Sequence, residues 1–188
     1  MDFEFTDDQL ELRANARAVL EGACPPEVVR AVYDGTADGS ALWATLVGLD
    51  WPALGIAEEH GGLGLSFLEV GIVVEELGRA TAPTPFLATA TQLAPLLAEC
   101  GATEQLRDIA AGTTTGSLAL AEAGAWRLDA VATTARPVAG GWVLHGAKSH
   151  VLDGATAHEV AVVARLEGSH GNDGLGVFLV PTRDLQAR

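Results

Sequence analysis

Apolar and polar positions change rhythm once along the chain. Up to about residue 112 the apolar residues recur at helical intervals. Beyond Gly112-Thr113-Thr114-Thr115-Gly116 they fall into short β-type runs. In the first part, Thr6-Asp7-Asp8-Gln9 has capping-box spacing and predicts a helix to about Leu20. Pro25 and Pro26 suit a first helical turn, so a short helix is expected over Glu27 to Tyr33, closed by Gly35. Ser40 is placed to cap a third helix through Leu46. The glycine-bearing stretch from Asp50-Trp51-Pro52 to Gly64-Leu65 reads as an ordered loop. Ser66-Phe67-Leu68-Glu69 repeats the capping spacing, and Val70, Val73, Val74 and Leu77 mark an amphipathic helix to about Ala80. After Pro83 and Pro85, helices are expected over Phe86 to Cys100 and from a Thr103 cap to about Ala111.

The β-type runs are Ser117–Leu120, Ala130–Val138, Trp142–His145, Ser149–Leu152, Glu159–Arg165 and Gly176–Val180. Ala139-Gly140-Gly141 and Asp153-Gly154 read as hairpin turns, which predicts antiparallel neighbours. The expected fold class is therefore α+β: an N-terminal helical bundle followed by a partial antiparallel β-barrel or sandwich domain. The expected division is 1–112 and 113–188, with open strand edges implying an incomplete β-domain or one completed by other polypeptide.

Composition narrows the function classes. The formal charge of −14 argues against binding nucleic acid through a basic surface. That charge is concentrated in residues 1–112, with 18 acidic and 5 basic side chains, against 7 and 6 in residues 113–188. No apolar run approaches a membrane span and the N-terminus is acidic, so a cytoplasmic location is expected. Cys24 and Cys100 have no paired spacing and are expected to be reduced packing residues.

Few residues announce chemistry. The loop Glu58-Glu59-His60-Gly61-Gly62-Leu63-Gly64-Leu65-Ser66 is glycine-rich, but no strand precedes it, the G-K-[ST] ending is missing, and its two glutamates repel phosphate. A tight turn before a capped helix is the better reading. His145, His150, His158 and His170 match no metal-ligand spacing, so no metal is expected. Glu122, after the apolar Leu118-Ala119-Leu120, is either a buried acid or a strand-end residue capping backbone N–H groups.

Four motifs stand in the order of one family. Ala57-Glu58-Glu59-His60-Gly61-Gly62-Leu63-Gly64-Leu65 is similar to Pro-Glu-Glu-Tyr-Gly-Gly-Leu-Gly, and Val74-Glu75-Glu76-Leu77-Gly78-Arg79 to the helix that follows it. Leu118-Ala119-Leu120-Ala121-Glu122-Ala123-Gly124-Ala125 is similar to Ala-Leu-Thr-Glu-Pro-x-Ala-Gly-Ser-Asp, and Trp142 to Gly154 to a strand pair carrying Leu-Asn-Gly-x-Lys-x-Trp-Ile-Thr-Asn-Gly. Across its whole length the chain resembles the acyl-CoA dehydrogenases.

The resemblance implies a helical N-terminal domain, a middle β-domain and a C-terminal four-helix domain that is absent here. It further implies FAD and a reaction in which a glutamate of that third domain removes the α-proton of an acyl-CoA thioester. The β-hydrogen then leaves as hydride to flavin N5, giving a trans-2-enoyl-CoA. No catalytic residue is expected within this chain. Cofactor contact is expected from Leu118, Leu120, Ala121, Arg127, His150 and Leu152, and substrate contact from Ala121 and Arg127. Several of these depart from the family pattern. Ala121 and Leu152 replace threonines, Trp126-Arg127-Leu128-Asp129 replaces Gly-Ser-Asp, and His150 replaces an aromatic residue packed on the flavin. Two functions follow: a dehydrogenase of fatty acyl or steroid side-chain thioesters, or a non-catalytic scaffold subunit of a heteromeric dehydrogenase. Both imply homo- or hetero-oligomers of dehydrogenase-like subunits.

Overall fold

A computed structural model describes residues 4–186. The chain divides into two compact units, one ending at Thr113 and the other beginning at Thr114. The first contains α1 (Asp7–Ala23), α2 (Pro26–Tyr33), α3 (Ser40–Val47), α4 (Phe67–Arg79), α5 (Phe86–Ala88), α6 (Ala94–Glu99) and α7 (Thr103–Ala110). The capping box of α1 is present in both directions: Thr6 Oγ1 accepts from Gln9 N, and the Gln9 side chain accepts from Thr6 N. Ser66 caps α4 by accepting from Leu68 N. Two expected caps are not made. Gly39, not Ser40, is the N-cap of α3, and Ala102, not Thr103, that of α7. Asp38 does the capping work at α3, accepting from Ser40 N at 3.0 Å.

The expected helix from Phe86 to Cys100 is interrupted by one π turn, Thr89–Leu93. Pro95 stands in the first turn of α6 with no N–H to give. A proline ring clashes with the carbonyl four residues back, and a widened turn before it removes that clash. The loop from Trp51 to Leu65 is ordered by its own backbone: Gly62, Leu63, Gly64 and Leu65 N–H groups donate to the Ala57, Ala53, Ile56 and Leu54 carbonyls. A Cβ at Gly62 would collide with the Ile56 carbonyl, so glycine is required there for close approach. These amides are used internally, as a tight turn demands and a phosphate cradle does not.

The core of this unit gathers Leu20, Leu42, Leu46, Trp51, Val73, Leu77 and Phe86, with Trp51 and Phe86 meeting edge-on at 6.5 Å between centroids. Among these apolar residues Glu76 is 1% exposed. Its oxygens accept from Arg17 Nη2 at 2.6 Å, Arg17 Nε at 3.0 Å and Arg79 Nε at 2.7 Å, which joins α1 to α4. The Arg17 hydrogen bonds, against the upward pull of burial and with help from Arg79, hold the Glu76 carboxyl down to about 2. Cys24 is buried, but Cys100 is exposed after α6 and does not pack.

The second unit is one open sheet of β1 (Gly116–Ala119), β2 (Thr134–Val138), β3 (Gly141–His145), β4 (Glu159–Leu166) and β5 (Leu175–Pro181). β4 is its axis. It pairs antiparallel with β5 from Glu159↔Pro181 to Arg165↔Leu175, and parallel with β1 and, at Thr134↔Arg165, with β2. The β2–β3 hairpin turns at Ala139-Gly140, where sequence placed it. The sheet is thus mixed, not wholly antiparallel, and it does not close into a barrel. The parallel pairs are possible because long connections, not single hairpins, separate β1 from β4 and β2 from β4. Leu144 packs on Ala119, Val160 and Val162, and Trp142 meets Phe178 edge-on at 5.2 Å, so the hairpin lies over one face of β4–β5. Two expected strands are altered: Ser149–Leu152 is irregular, and β2 begins only at Thr134. His158 serves the sheet structurally, its Nδ1 accepting from Thr115 N at 3.0 Å.

The end of α4 carries measurable strain. Thr81 N donates to Gly78 O and Ala82 N to Leu77 O, a Schellman pattern whose left-handed residue is Thr81 at φ 51°. A β-branched side chain is costly there. Thr81→Gly is expected to stabilise the protein by about 1 kcal/mol, net of glycine's extra chain entropy, raising the thermal midpoint by about 2–4 °C in a melting experiment.

Candidate functional site

Immediately after β1 the chain makes a tight turn, Glu122-Ala123-Gly124-Ala125. Glu122 and Ala125 exchange both backbone hydrogen bonds, and Ala123 and Gly124 are left-handed at φ 48° and 81°. Alongside runs the irregular segment from Lys148 to Asp153, with His150 and Asp153 also left-handed. Three bonds tie the two stretches together: Ser149 N donates to Ala121 O at 2.8 Å, Gly124 N to Ser149 Oγ at 3.4 Å, and Lys148 Nζ to Leu120 O at 3.2 Å. At their junction Lys148 Nζ meets Glu122 Oε1 at 2.6 Å, with side chains only 9% and 12% exposed.

The Glu122 carboxylate has further partners. It accepts from Ala132 N at 2.7 Å and from Thr133 N at 3.0 Å. Burial pushes this carboxyl up, but the ammonium of Lys148 and the donated N–H groups outweigh it and hold the group down to about 2. Of the two readings of Glu122 from sequence the capping one is met, by a side chain that is largely but not fully buried. The carbonyl on the other side of the same segment, Val131 O, accepts from Arg165 Nε, and Arg165 also donates to Gly171 O and Asp173 O.

The residues singled out from sequence are not equally available. Leu118 and Leu120 are half-buried, and Ala121 is fully buried with its carbonyl occupied by Ser149. Arg127, His150 and Leu152 are exposed, as is Trp126. Arg127 is already engaged: its Nε and Nη2 fork onto the two oxygens of Asp129. The structure adds Lys148 and Arg165 as bonded residues. Lys148 is the only lysine in the chain, and that singularity within a strand-like stretch is its one signal in the sequence. Arg165 gave none, since an arginine ending a β-type run reads as exposed. Among the described residues no cluster of three or more His, Cys, Asp or Glu side chains is placed to hold a metal.

Residues 6–117 match the family model described as acyl-CoA dehydrogenase, N-terminal domain. The chain belongs to the acyl-CoA dehydrogenase family. It is 33% identical over 142 residues to the human mitochondrial short-chain specific acyl-CoA dehydrogenase, covering 71% of this chain and 34% of that enzyme. Among solved structures, butyryl-CoA dehydrogenase from Megasphaera elsdenii superposes with a TM-score of 0.81 at 26% identity, over 96% of this chain and 50% of that one. The Tcur3481-Tcur3483 steroid ACAD gives 0.80 at 26% identity, over 97% of this chain and 50% of that one. The chain therefore spans between a third and a half of the relatives it matches. Among the described residues no helix is long and apolar enough to cross a membrane.

Membership implies FAD, and the donor set can be tested against it. At the two positions where the family resemblance calls for threonine hydroxyls stand a buried methyl, Ala121, and an exposed hydrocarbon, Leu152. The cation suited to a pyrophosphate, Arg127, is exposed and pairs with Asp129 two residues away. The side chains at 121 and 152 do not by themselves fit a flavin's polar edge, because neither carries a donor, and Arg127 could reach a phosphate only by giving up Asp129.

The Glu122 site should govern stability. Glu122→Ala leaves a buried ammonium and two backbone N–H groups without their acceptor, and is expected to cost about 3 kcal/mol or more by denaturant titration. Glu122 and Glu76 both titrate below their ordinary value near 4.5. Their contribution is complete above that pH and lost as pH falls from about 4.5 towards 2. An acid unfolding curve should descend through that window, and Glu122→Gln should make the descent shallower across it.

Proposed function

We propose that this chain takes part in FAD-dependent α,β-dehydrogenation of an acyl-CoA thioester to the trans-2-enoyl-CoA, in the cytoplasm. In this reading residues 1–112 are the helical N-terminal domain and 113–188 the beginning of the middle β-domain. The catalytic base and the polar contacts to the flavin come from polypeptide outside this chain. The observation that carries the proposal is the family match over residues 6–117, joined to a fold shared with a butyryl-CoA dehydrogenase. The acyl group, of fatty or steroid side-chain type, would be selected by residues not present here.

The chain's own contribution is positional. The loop pair around Glu122 and Lys148 supplies a rigid edge with exposed apolar side chains, Trp126 and Leu152, suited to excluding water from a reacting group. A second reading, a non-catalytic subunit that scaffolds a flavin-bearing partner, is favoured by one specific feature: Ala121 and Leu152 carry no hydroxyl, and Arg127 is paired with Asp129. The name of one solved neighbour pairs two proteins, Tcur3481 and Tcur3483, which supports a hetero-oligomer of dehydrogenase-like subunits for this chain as well.

The visible absorbance of the purified chain, desalted after titration with FAD, separates these readings. Little flavin should be retained by the chain alone. It should be retained when a dehydrogenase-like polypeptide carrying the C-terminal helical domain is co-expressed, together with acyl-CoA-dependent bleaching of the flavin band. Flavin held tightly by the chain alone would sink the scaffold reading. Absence of flavin from every such complex would sink the dehydrogenase reading.

A further inference from the structure

Three residues other than glycine, Ala123, His150 and Asp153, adopt left-handed backbone in the two neighbouring stretches described above. Such conformations cost free energy and persist only where surrounding contacts over-determine them. Neither stretch belongs to the sheet ladder, so no strand partner imposes its shape. Between them, beside the Ser149 bonds to Ala121 O and Gly124 N, lies a single ammonium. Lys148 Nζ donates at once to Leu120 O, just before the turn, and to Glu122 Oε1, within it. Glu122 in turn holds Ala132 N and Thr133 N.

We propose that Lys148 is a positioning residue: through Glu122 it latches residues 120–126 to residues 148–153, so that these two loops present Trp126, His150 and Leu152 as one rigid edge. That the edge faces the reaction space rests on the function proposed above; the latch itself does not. The device is electrostatic in kind. A hydrocarbon of equal length at 148 fills the same volume but releases Leu120 O and removes the cation beside a largely buried carboxylate, so the strained turns are left with only the Ser149 bonds between them. The strip Val131–Thr133 is secured from its other side by Arg165, whose guanidinium lies on β4, so losing Lys148 should loosen the loops without dissolving the sheet.

Hydrogen–deuterium exchange of the full chain decides this. In Lys148→Met, amides of peptides covering 120–127 and 147–154 are expected to exchange about tenfold faster or more, while those of β4 and β5 stay within about threefold of the parent. Lys148→Arg, which keeps charge and donors, should restore most of the protection. Because Lys148 is the only lysine, nitrogen-labelled lysine gives one side-chain ammonium signal. That signal should be protected from exchange in the parent and exposed in Glu122→Gln. Unchanged loop exchange in Lys148→Met overturns the latch. Equal acceleration across β4 and β5 also overturns it, as does failure of both Lys148→Met and Glu122→Gln to fold, since the pair would then hold the unit and not the loops. Failure of the dehydrogenase reading appears elsewhere, as missing flavin in the co-expressed complex while loop protection still follows Lys148.

Discussion

A buried carboxylate needs donors and a buried guanidinium needs acceptors, and in the β unit one strip of backbone, Val131–Thr133, serves both. Its N–H groups face Glu122 and its Val131 carbonyl faces Arg165. The two side chains come from opposite directions, one from the turn after β1 and the other from β4. Neither charge is neutralised by the other; each is solvated by peptide dipoles, and Lys148 supplies the one counter-charge. The irregular segments of this unit thereby acquire a defined shape that ladder hydrogen bonds do not give them.

The helical unit meets the same requirement differently. Glu76 is as buried as any apolar residue around it, yet its two arginines are about half exposed and reach in from the rim of α1 and from its own helix. Arginine suits this task, since its long apolar stem lies along the helix surface while the planar head forks onto the carboxylate. The pair fixes the register of α1 against α4, with Gln9 and Glu69 making the matching contact one end further along. Packing alone, with Ala16, Leu20, Val70 and Val73, would tolerate sliding; an ion pair at one position does not.

For function, the consequence is a separation between shape and chemistry. The loop pair keeps its geometry through Glu122, Lys148 and Ser149, while Ala121 and Leu152, which the proposed function sets beside a flavin, carry no hydroxyls. In that proposal the frame of a site and its polar contacts are held by different residues. That is the physical sense in which a dehydrogenase portion and a scaffold subunit look alike from their cores.

Much of this was legible in the sequence. The helical unit's capping boxes at Thr6 and Ser66, the turn at Ala139-Gly140 and the change of rhythm near residue 112 are local signals, governed by spacing and by which backbone groups need partners nearby. The capping role of Glu122 was also within reach, because an acid at the end of an apolar strand finds free backbone N–H groups nearby. What only the tertiary structure decided are relations between distant residues. The parallel pairing of β1 and β2 with β4, the irregular course of Ser149–Leu152, the burial of Glu76 and that of Ala121 belong here. Periodicity reports which face of an element is apolar, but it cannot report which charged partner waits 26 residues away at Lys148, or 59 away at Arg17, to make a buried carboxylate affordable.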